Sequence, residues 1–332
     1  MKNLARTPLP VTLPPVPSPL EDDLERVEVR LAQELVSRER HLTTVASHLV
    51  GAGGKRIRPM VVLLGFHATA PHGARRRHAD AIEAAVALEL IHSATLLHDD
   101  IIDGSETRRG RPSALRMFGA ADTLVAGDFL FSRAFALCAR FEAEVIRWAA
   151  EACIALTEGE IMQSRFRHNP AVTLADYDQI IERKTASLFA AGARTAAHLA
   201  GAPPALVEAM ATCGRHVGLA FQMSDDLLDV AGHPSEMGKP RGIDLRDGNP
   251  SLPIVLALGD AELARLFAKL GPTAADVDAG LARIRRSGVL AAVAARASEH
   301  AATAAAALAR LPESPYRAAL EALTQGLADR AR

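Results

Sequence analysis

Two apolar stretches of this chain each carry three closely spaced aspartates. The first, "ATLLHDDIIDGSETRRG" at 94–110, holds Asp99, Asp100 and Asp103; the second, "FQMSDDLLDV" at 221–230, holds Asp225, Asp226 and Asp229. Both fit the pattern DDxxD. On a helix such positions are three and four residues apart, so the carboxylates converge on one side. Crowded carboxylates in an apolar helix repel, and they must gain protons or be matched by cations. A single copy would fit a solvated acidic face. Nineteen aspartates in 332 residues give only about 0.06 such patterns by chance, so two copies argue for a shared purpose.

The surrounding sequence reads as helix throughout. From Leu20 onward apolar residues recur at three and four residue spacing, as in Leu24, Val27, Leu31 and Leu35, and alternating strand-like runs are scarce. Breakers at Gly53-Gly54, Pro71-His72-Gly73, Gly201-Ala202-Pro203-Pro204 and Gly248-Asn249-Pro250 divide it into long helices, notably about 78 to 103 and 204 to 231. The expected fold class is all-α, a single large bundle of long helices. The expected organisation is one helical domain over 20–332, preceded by a proline-rich, disordered arm over 1–19. The alanine-rich final third, from Ala261, carries no concentrated chemistry and is read as packing.

Oxygen-only carboxylate clusters without Cys or His favour a hard cation. Magnesium takes one or two carboxylates and fills its other positions with water and phosphate oxygens. That points to a phosphorylated ligand held through metal. Counter-charges suited to oxyanions sit elsewhere: Lys55 and Arg58 in "GGKRIRP", Arg108 and Arg109 in "TRRG", Lys184 with Thr185 in "KTASL", and Lys239 in "GKPRG". Gly53 and Gly54 can turn backbone N–H groups toward a phosphate, with lysine as a point charge and arginine as a fork. His92 precedes Asp99 by seven residues and Gln222 precedes Asp229 by seven, so each shares a helical face with its aspartates.

Net charge is -1, from 38 basic and 39 acidic residues. This leaves no global field for nucleic acid or an anionic membrane, so the charge chemistry is local. No transmembrane span is expected from the composition of any segment. Three cysteines without metal-ligand spacing argue against a disulfide framework and for a reducing, cytoplasmic setting.

Taken in order, "GGKRIRP", "IHSATLLHDDIIDGSETRRG", "GDFLFSRAF", "ERKTASLF", "FQMSDDLLDV" and "GKPRGIDL" resemble the trans-type isoprenyl diphosphate synthases, also called polyprenyl synthetases, from about Ala32 to Leu256. The resemblance implies a helical bundle around a deep cavity, with the two aspartate-rich helices facing each other across it. It implies that Asp99, Asp100, Asp103 and Asp225 coordinate magnesium, three ions with diphosphate bound, with Asp226 and Asp229 close by. Arg108, Lys184, Thr185, Gln222 and Lys239 match positions that hold the allylic diphosphate. Gly54, Lys55, Arg58, His92 and Arg109 match positions that hold isopentenyl diphosphate. Asp99, Asp100, Asp103, Asp225, Lys184 and Arg108 are therefore the expected catalytic set. A homodimer and transient membrane contact during product release are also implied.

Ala94 and Thr95 occupy the positions five and four residues before Asp99, where bulky aromatics act as a floor in short-product members. Ala94 and Ala87, with Ile91 between them, are expected to leave the channel open, giving a long all-trans product with octaprenyl diphosphate as the central expectation. A short-chain farnesyl or geranylgeranyl synthase is the alternative, ahead of a terpene cyclase or a non-catalytic subunit. The second DDxxD and the separate basic pocket argue against a cyclase. Two departures stand out: Gly232-His233 where the family often has Gly-Asp, and Gly248-Asn249 before Ser251-Leu252-Pro253 where it often has Gly-Lys.

Overall fold

The computed structural model describes residues 19–70, 77–232 and 241–329. The proline-rich arm, apart from Pro19, the breaker at 71–73, His233 and Lys239 lie outside the described residues. The all-α expectation holds. The helices are α1 (Pro19–Glu34), α2 (Arg40–Val50), α3 (Ile57–Thr69), α4 (His78–Ile102), α5 (Ala114–Cys138), α6 (Ala143–Arg165), α7 (Leu174–Ile181), α8 (Ser187–Leu199), α9 (Pro204–Ala231), α10 (Ile243–Asp247), α11 (Leu252–Ala257), α12 (Ala261–Phe267), α13 (Ala274–Arg286), α14 (Val289–Leu308) and α15 (Pro315–Asp329). The two long helices expected from the breakers are α4 and α9. A π-helical turn, Glu182–Ala186, joins α7 to α8, and a two-residue hairpin pairs β1 (Thr107–Arg108) with β2 (Arg111–Pro112). Neither feature has a periodicity long enough to read from sequence.

Contacts divide the described residues into two compact units. The first comprises 19–70, 77–150, 191–211 and 308–322. Its central element is α4, which packs against α1, α2, α3 and α5. This helix is apolar on nearly every side, with Leu90, Ile91, Ala94 and Leu97 all at 0% exposure, as expected for a helix surrounded by others. By length and composition α4 could cross a membrane, but 78% of its apolar window is buried in the fold. Small residues allow close approach: a Cβ on Gly65 would stand 2.6 Å from the Met210 methyl.

The second unit comprises 151–190, 212–232, 241–307 and 323–329. One apolar cluster gathers Val230, Leu245, Ile254, Leu263, Phe267 and Ile284; another gathers Tyr177, Ile181, Leu219, Met223, Leu227 and Val293. Its helix starts follow local chemistry. Thr173 with Asp176 and Thr273 with Asp276 form reciprocal capping boxes, and Asp260 caps α12, satisfying N–H groups that lack partners at a helix start. The expectation that the final third packs as helices is met by α12 to α15.

Candidate active site

The first aspartate cluster ends α4. Asp103 is the C-cap and donates its N–H to Asp99 O at 2.8 Å, while Ser105 N–H donates to Asp100 O at 2.9 Å. A helix C-terminus carries partial negative charge, so it is the less favourable end for three carboxylates unless a cation joins them. Asp100 has 0% exposure. Its Oδ1 accepts from Arg108 Nε at 2.8 Å and Nη2 at 2.6 Å. Its buried Oδ2 has no hydrogen-bond partner among the described residues. Burial raises the Asp100 pKa, Arg108 pulls it down and Asp103 pushes it up, with a net rise. An orphaned carboxylate oxygen between two further aspartates fits a hard divalent ion, so the residues present suit the metal the motif implies.

Arg108 and Arg109 arrive on the hairpin. Arg109 (φ 53°) and Gly110 (φ 72°) both take left-handed backbone, as a two-residue hairpin turn requires. The strained Arg109 donates a hydrogen bond from Nη1 to Gly53 O. Gly54 lets the two segments approach closely, since a Cβ there would stand 3.2 Å from the Arg109 guanidinium.

Burial and the charges of Arg58, Arg109, Arg56 and Arg108 hold the half-buried His92 well below the ordinary imidazole pKa. His92 is therefore a neutral hydrogen-bonding group in a cationic pocket. Burial depresses Arg109 as well; Glu89 works against this, while Arg56 and Arg108 add to it. Like charges packed this closely favour an anionic ligand. The loop supplying Lys55 is anchored by Arg56, which is 2% exposed. Its guanidinium donates to Glu28 at 2.8 and 3.2 Å and to Glu89 at 2.6 Å. Burial opposes the charge, but the two glutamates raise the Arg56 pKa above its ordinary value.

The second cluster lies on α9. Asp225 is half-buried, whereas Asp226 is 5% and Asp229 2% exposed. Asp226 accepts from Tyr177 Oη at 2.8 Å, Gln222 Nε2 at 2.8 Å and Leu252 N at 3.0 Å. Burial pushes it up to about 6, against the pull of those three donors. Asp229 accepts from Ile243 N at 3.3 Å and Asp244 N at 3.2 Å at the start of α10. Asp226 and Asp229 thus spend carboxylate capacity on the protein, while Asp225 is the more open of the three.

The π turn presents Lys184 and Thr185. Thr185 Oγ1 donates to Gln222 Oε1 at 2.9 Å, and Lys184 Nζ forms a close ion pair with Glu160. Inserted π turns are frequent at functional sites. Here Gly159 allows α6 to approach it, since a Cβ there would lie 2.6 Å from Lys184 N. Lys184, Thr185, Gln222, Asp226, Tyr177, Asn249 and Ser251 line one pocket of this unit.

A profile of the family described as Polyprenyl synthetase matches residues 39–284. This chain belongs to the polyprenyl synthetase family. It is 35% identical over 316 residues to the octaprenyl diphosphate synthase of Haemophilus influenzae, covering 93% of this chain and 94% of that one. The crystal structure of a polyprenyl synthase from Caulobacter crescentus, complexed with calcium and isoprenyl diphosphate, superposes with TM-score 0.89 at 36% identity over 95% of this chain and 97% of that one. A decaprenyl diphosphate synthase from Rhodobacter capsulatus gives TM-score 0.86 at 33% identity over 95% and 98%.

Within the first unit Asp99, Asp100, Asp103, Arg108, Arg109, Gly54, Lys55, Arg58 and His92 belong to the end of α4 and the segments packed on it. The second unit carries Lys184, Thr185, Gln222, Asp225, Asp226 and Asp229. Upstream on α4, Ala94 and Ile91 are 0% exposed and Ala87 2%, while Thr95 is half-buried and donates its hydroxyl to His92 O. Residues not anticipated from sequence are Glu28, Arg56 and Glu89, which brace the basic loop, and Glu160, Tyr177 and Ser251. Arg56 lay inside "GGKRIRP" but is occupied by carboxylates 28 and 33 residues away, a pairing that only tertiary contact reveals.

Proposed function

We propose that this chain is a prenyltransferase that condenses isopentenyl diphosphate onto an allylic diphosphate, such as farnesyl diphosphate, to build a long all-trans polyprenyl diphosphate. The observation that carries the reading is the end of α4. There a fully buried carboxylate with an orphaned oxygen adjoins a cluster of arginines around a neutral histidine. The first arrangement suits a metal-held diphosphate, and the second a diphosphate held directly.

Asp99, Asp100, Asp103 and Asp225 are assigned to magnesium, which when bound would neutralise charge on the departing diphosphate. Arg108 and Lys184 provide further positive charge for the same leaving group, with Thr185 and Gln222 as hydrogen-bonding partners and Lys239 assigned to it by family pattern. Heterolysis of the allylic carbon–oxygen bond leaves an allylic cation and diphosphate. Lys55, Arg58, Arg109, His92 and the Gly54 backbone hold isopentenyl diphosphate so that its double bond reaches that cation and forms the new carbon–carbon bond. A proton then passes to the released diphosphate, leaving a product one isoprene unit longer. Water has to be kept from that cation, and the apolar side chains of α4 upstream of Asp99 are suited to that.

Octaprenyl diphosphate is the central expectation for length, supported by small Ala94 and Ala87. Exposed Leu124, Val125 and Phe135 on α5 support a homodimer, and sedimentation would test it. None of Cys138, Cys153 and Cys213 forms a disulfide, in keeping with a cytoplasmic setting.

Incubation of the full chain with farnesyl diphosphate, labelled isopentenyl diphosphate and magnesium should give elongated prenyl diphosphates on chromatography. Cyclic hydrocarbon, or no product, would refute the reading. Asp99→Ala should abolish turnover while leaving circular dichroism unchanged, and retained turnover would overturn the metal assignment.

A further inference from the structure

Far from the α4 carboxylates, three helices bring a second set of ligating side chains together. Asp23 on α1, His67 on α3 and His78 at the start of α4 place one ligand atom each within 4.8 Å of the others. His78 and Asp99 are 21 residues apart on the same helix, so this cluster is about 32 Å along α4 from the first motif. Asp23 is 1% exposed. His67 Nε2 lies 2.8 Å and His78 Nε2 2.7 Å from the same atom, Asp23 Oδ2. Both rings lie against aromatic neighbours along whose faces they can slide: His67 stacks on Tyr316 with centroids 4.6 Å apart, and His78 stacks on Phe66 at 5.9 Å. The His67 and His78 side chains retain 14% and 28% exposure, so the open side faces solvent.

We infer that Asp23, His67 and His78 form a site for a divalent transition ion of the zinc type, tying α1, α3 and α4 together, with water as the fourth ligand. Two imidazoles and one carboxylate are a borderline donor set that suits zinc and not magnesium, so the cation proposed for the DDxxD residues would not compete. Tetrahedral zinc at its usual bond lengths separates neighbouring ligand atoms by about 3.4 Å. The two imidazoles therefore have to withdraw from Asp23 by a little over half an ångström, a small rotation for rings at a solvent-open edge. The buried carboxylate is then the fixed ligand and the stacked histidines the adjustable ones. The site would brace the end of α4 opposite the chemistry and take no part in turnover.

The test uses the full chain without a polyhistidine tag, stripped with chelator and titrated with cobalt or zinc in excess magnesium. One equivalent per chain should bind, with the visible absorption of tetrahedral cobalt and a raised unfolding temperature. His78→Gln, at a half-exposed helix start, and His67→Gln should each weaken uptake by more than about tenfold and remove the tetrahedral spectrum. Prenyltransferase activity in magnesium should be unchanged. The double change His216→Gln and His300→Gln, at a separate histidine pair, should leave uptake intact. No uptake in the presence of magnesium, or uptake equal in wild type and His78→Gln, would overturn the inference and leave the three residues as a hydrogen-bonded clamp.

Discussion

Arg56→Met is the sharpest test of how the basic pocket is supported. The guanidinium is 2% exposed and its donors are split between Glu28 and Glu89, which are 7% and 3% exposed. Methionine fills similar volume but leaves two carboxylates without their cation. Removing one partner from such a buried set costs about 3–5 kcal/mol, a large part of the 5–15 kcal/mol that typically holds a domain together. The urea midpoint should therefore fall substantially. Because Arg56 also anchors the loop that bears Lys55, the KM for isopentenyl diphosphate should rise more than that for the allylic substrate. The triple change Arg56→Met, Glu28→Gln, Glu89→Gln removes every charge from the set and should recover most of the lost stability. A single variant within about 1 kcal/mol of wild type, or a triple variant no better than the single, would refute the view that uncompensated burial is the cost.

Ala94→Phe should shorten the product distribution while activity persists, because Ala94 and Ala87 are about 10 Å apart along α4 and that span is where later isoprene units would lie. At a position with 0% exposure overpacking should cost about 1–3 kcal/mol, and an unchanged chain-length profile would refute the open-channel proposal. Gly159→Ala should push its Cβ against Lys184 N, 2.6 Å away. The displaced π turn should lower turnover about 10- to 100-fold, with an unaltered circular dichroism spectrum; full activity would remove the π turn from the mechanism. His216 is held down to about 4 by burial first and then by His300 and Arg215, and His300 is lowered as well. A depressed histidine gives stability that is complete above the unfolded value near 6.5 and is lost as pH falls toward 4. After solvent screening the loss is of order 1 kcal/mol, visible as a falling urea midpoint that the double His216→Gln, His300→Gln variant flattens; identical pH profiles would refute it.

Part of the site is legible in local order because it consists of local order. A DDxxD places its carboxylates on one helical side whatever the rest of the chain does, and Gly201 to Pro204 must interrupt a helix wherever they fall. The helices at 78–102 and 204–231 follow from such signals. The basic residues could be found but not ranked. Arg56 and Arg58 are two positions apart in one motif, yet Arg56 is consumed by Glu28 and Glu89 while the charge of Arg58 acts on His92.

The same division separates the two aspartate motifs. By itself the sequence determined that each is a helical cluster of negative charge in need of partners, since spacing and helix geometry suffice for that. Tertiary structure alone decided which partners each one has. Asp100 keeps an orphaned oxygen beside Arg108, while Asp226 and Asp229 are taken up by Tyr177, Gln222 and backbone N–H groups from distant segments. Identical local patterns therefore acquire different chemistry, because desolvation and hydrogen bonding are set by whatever else the fold packs against them.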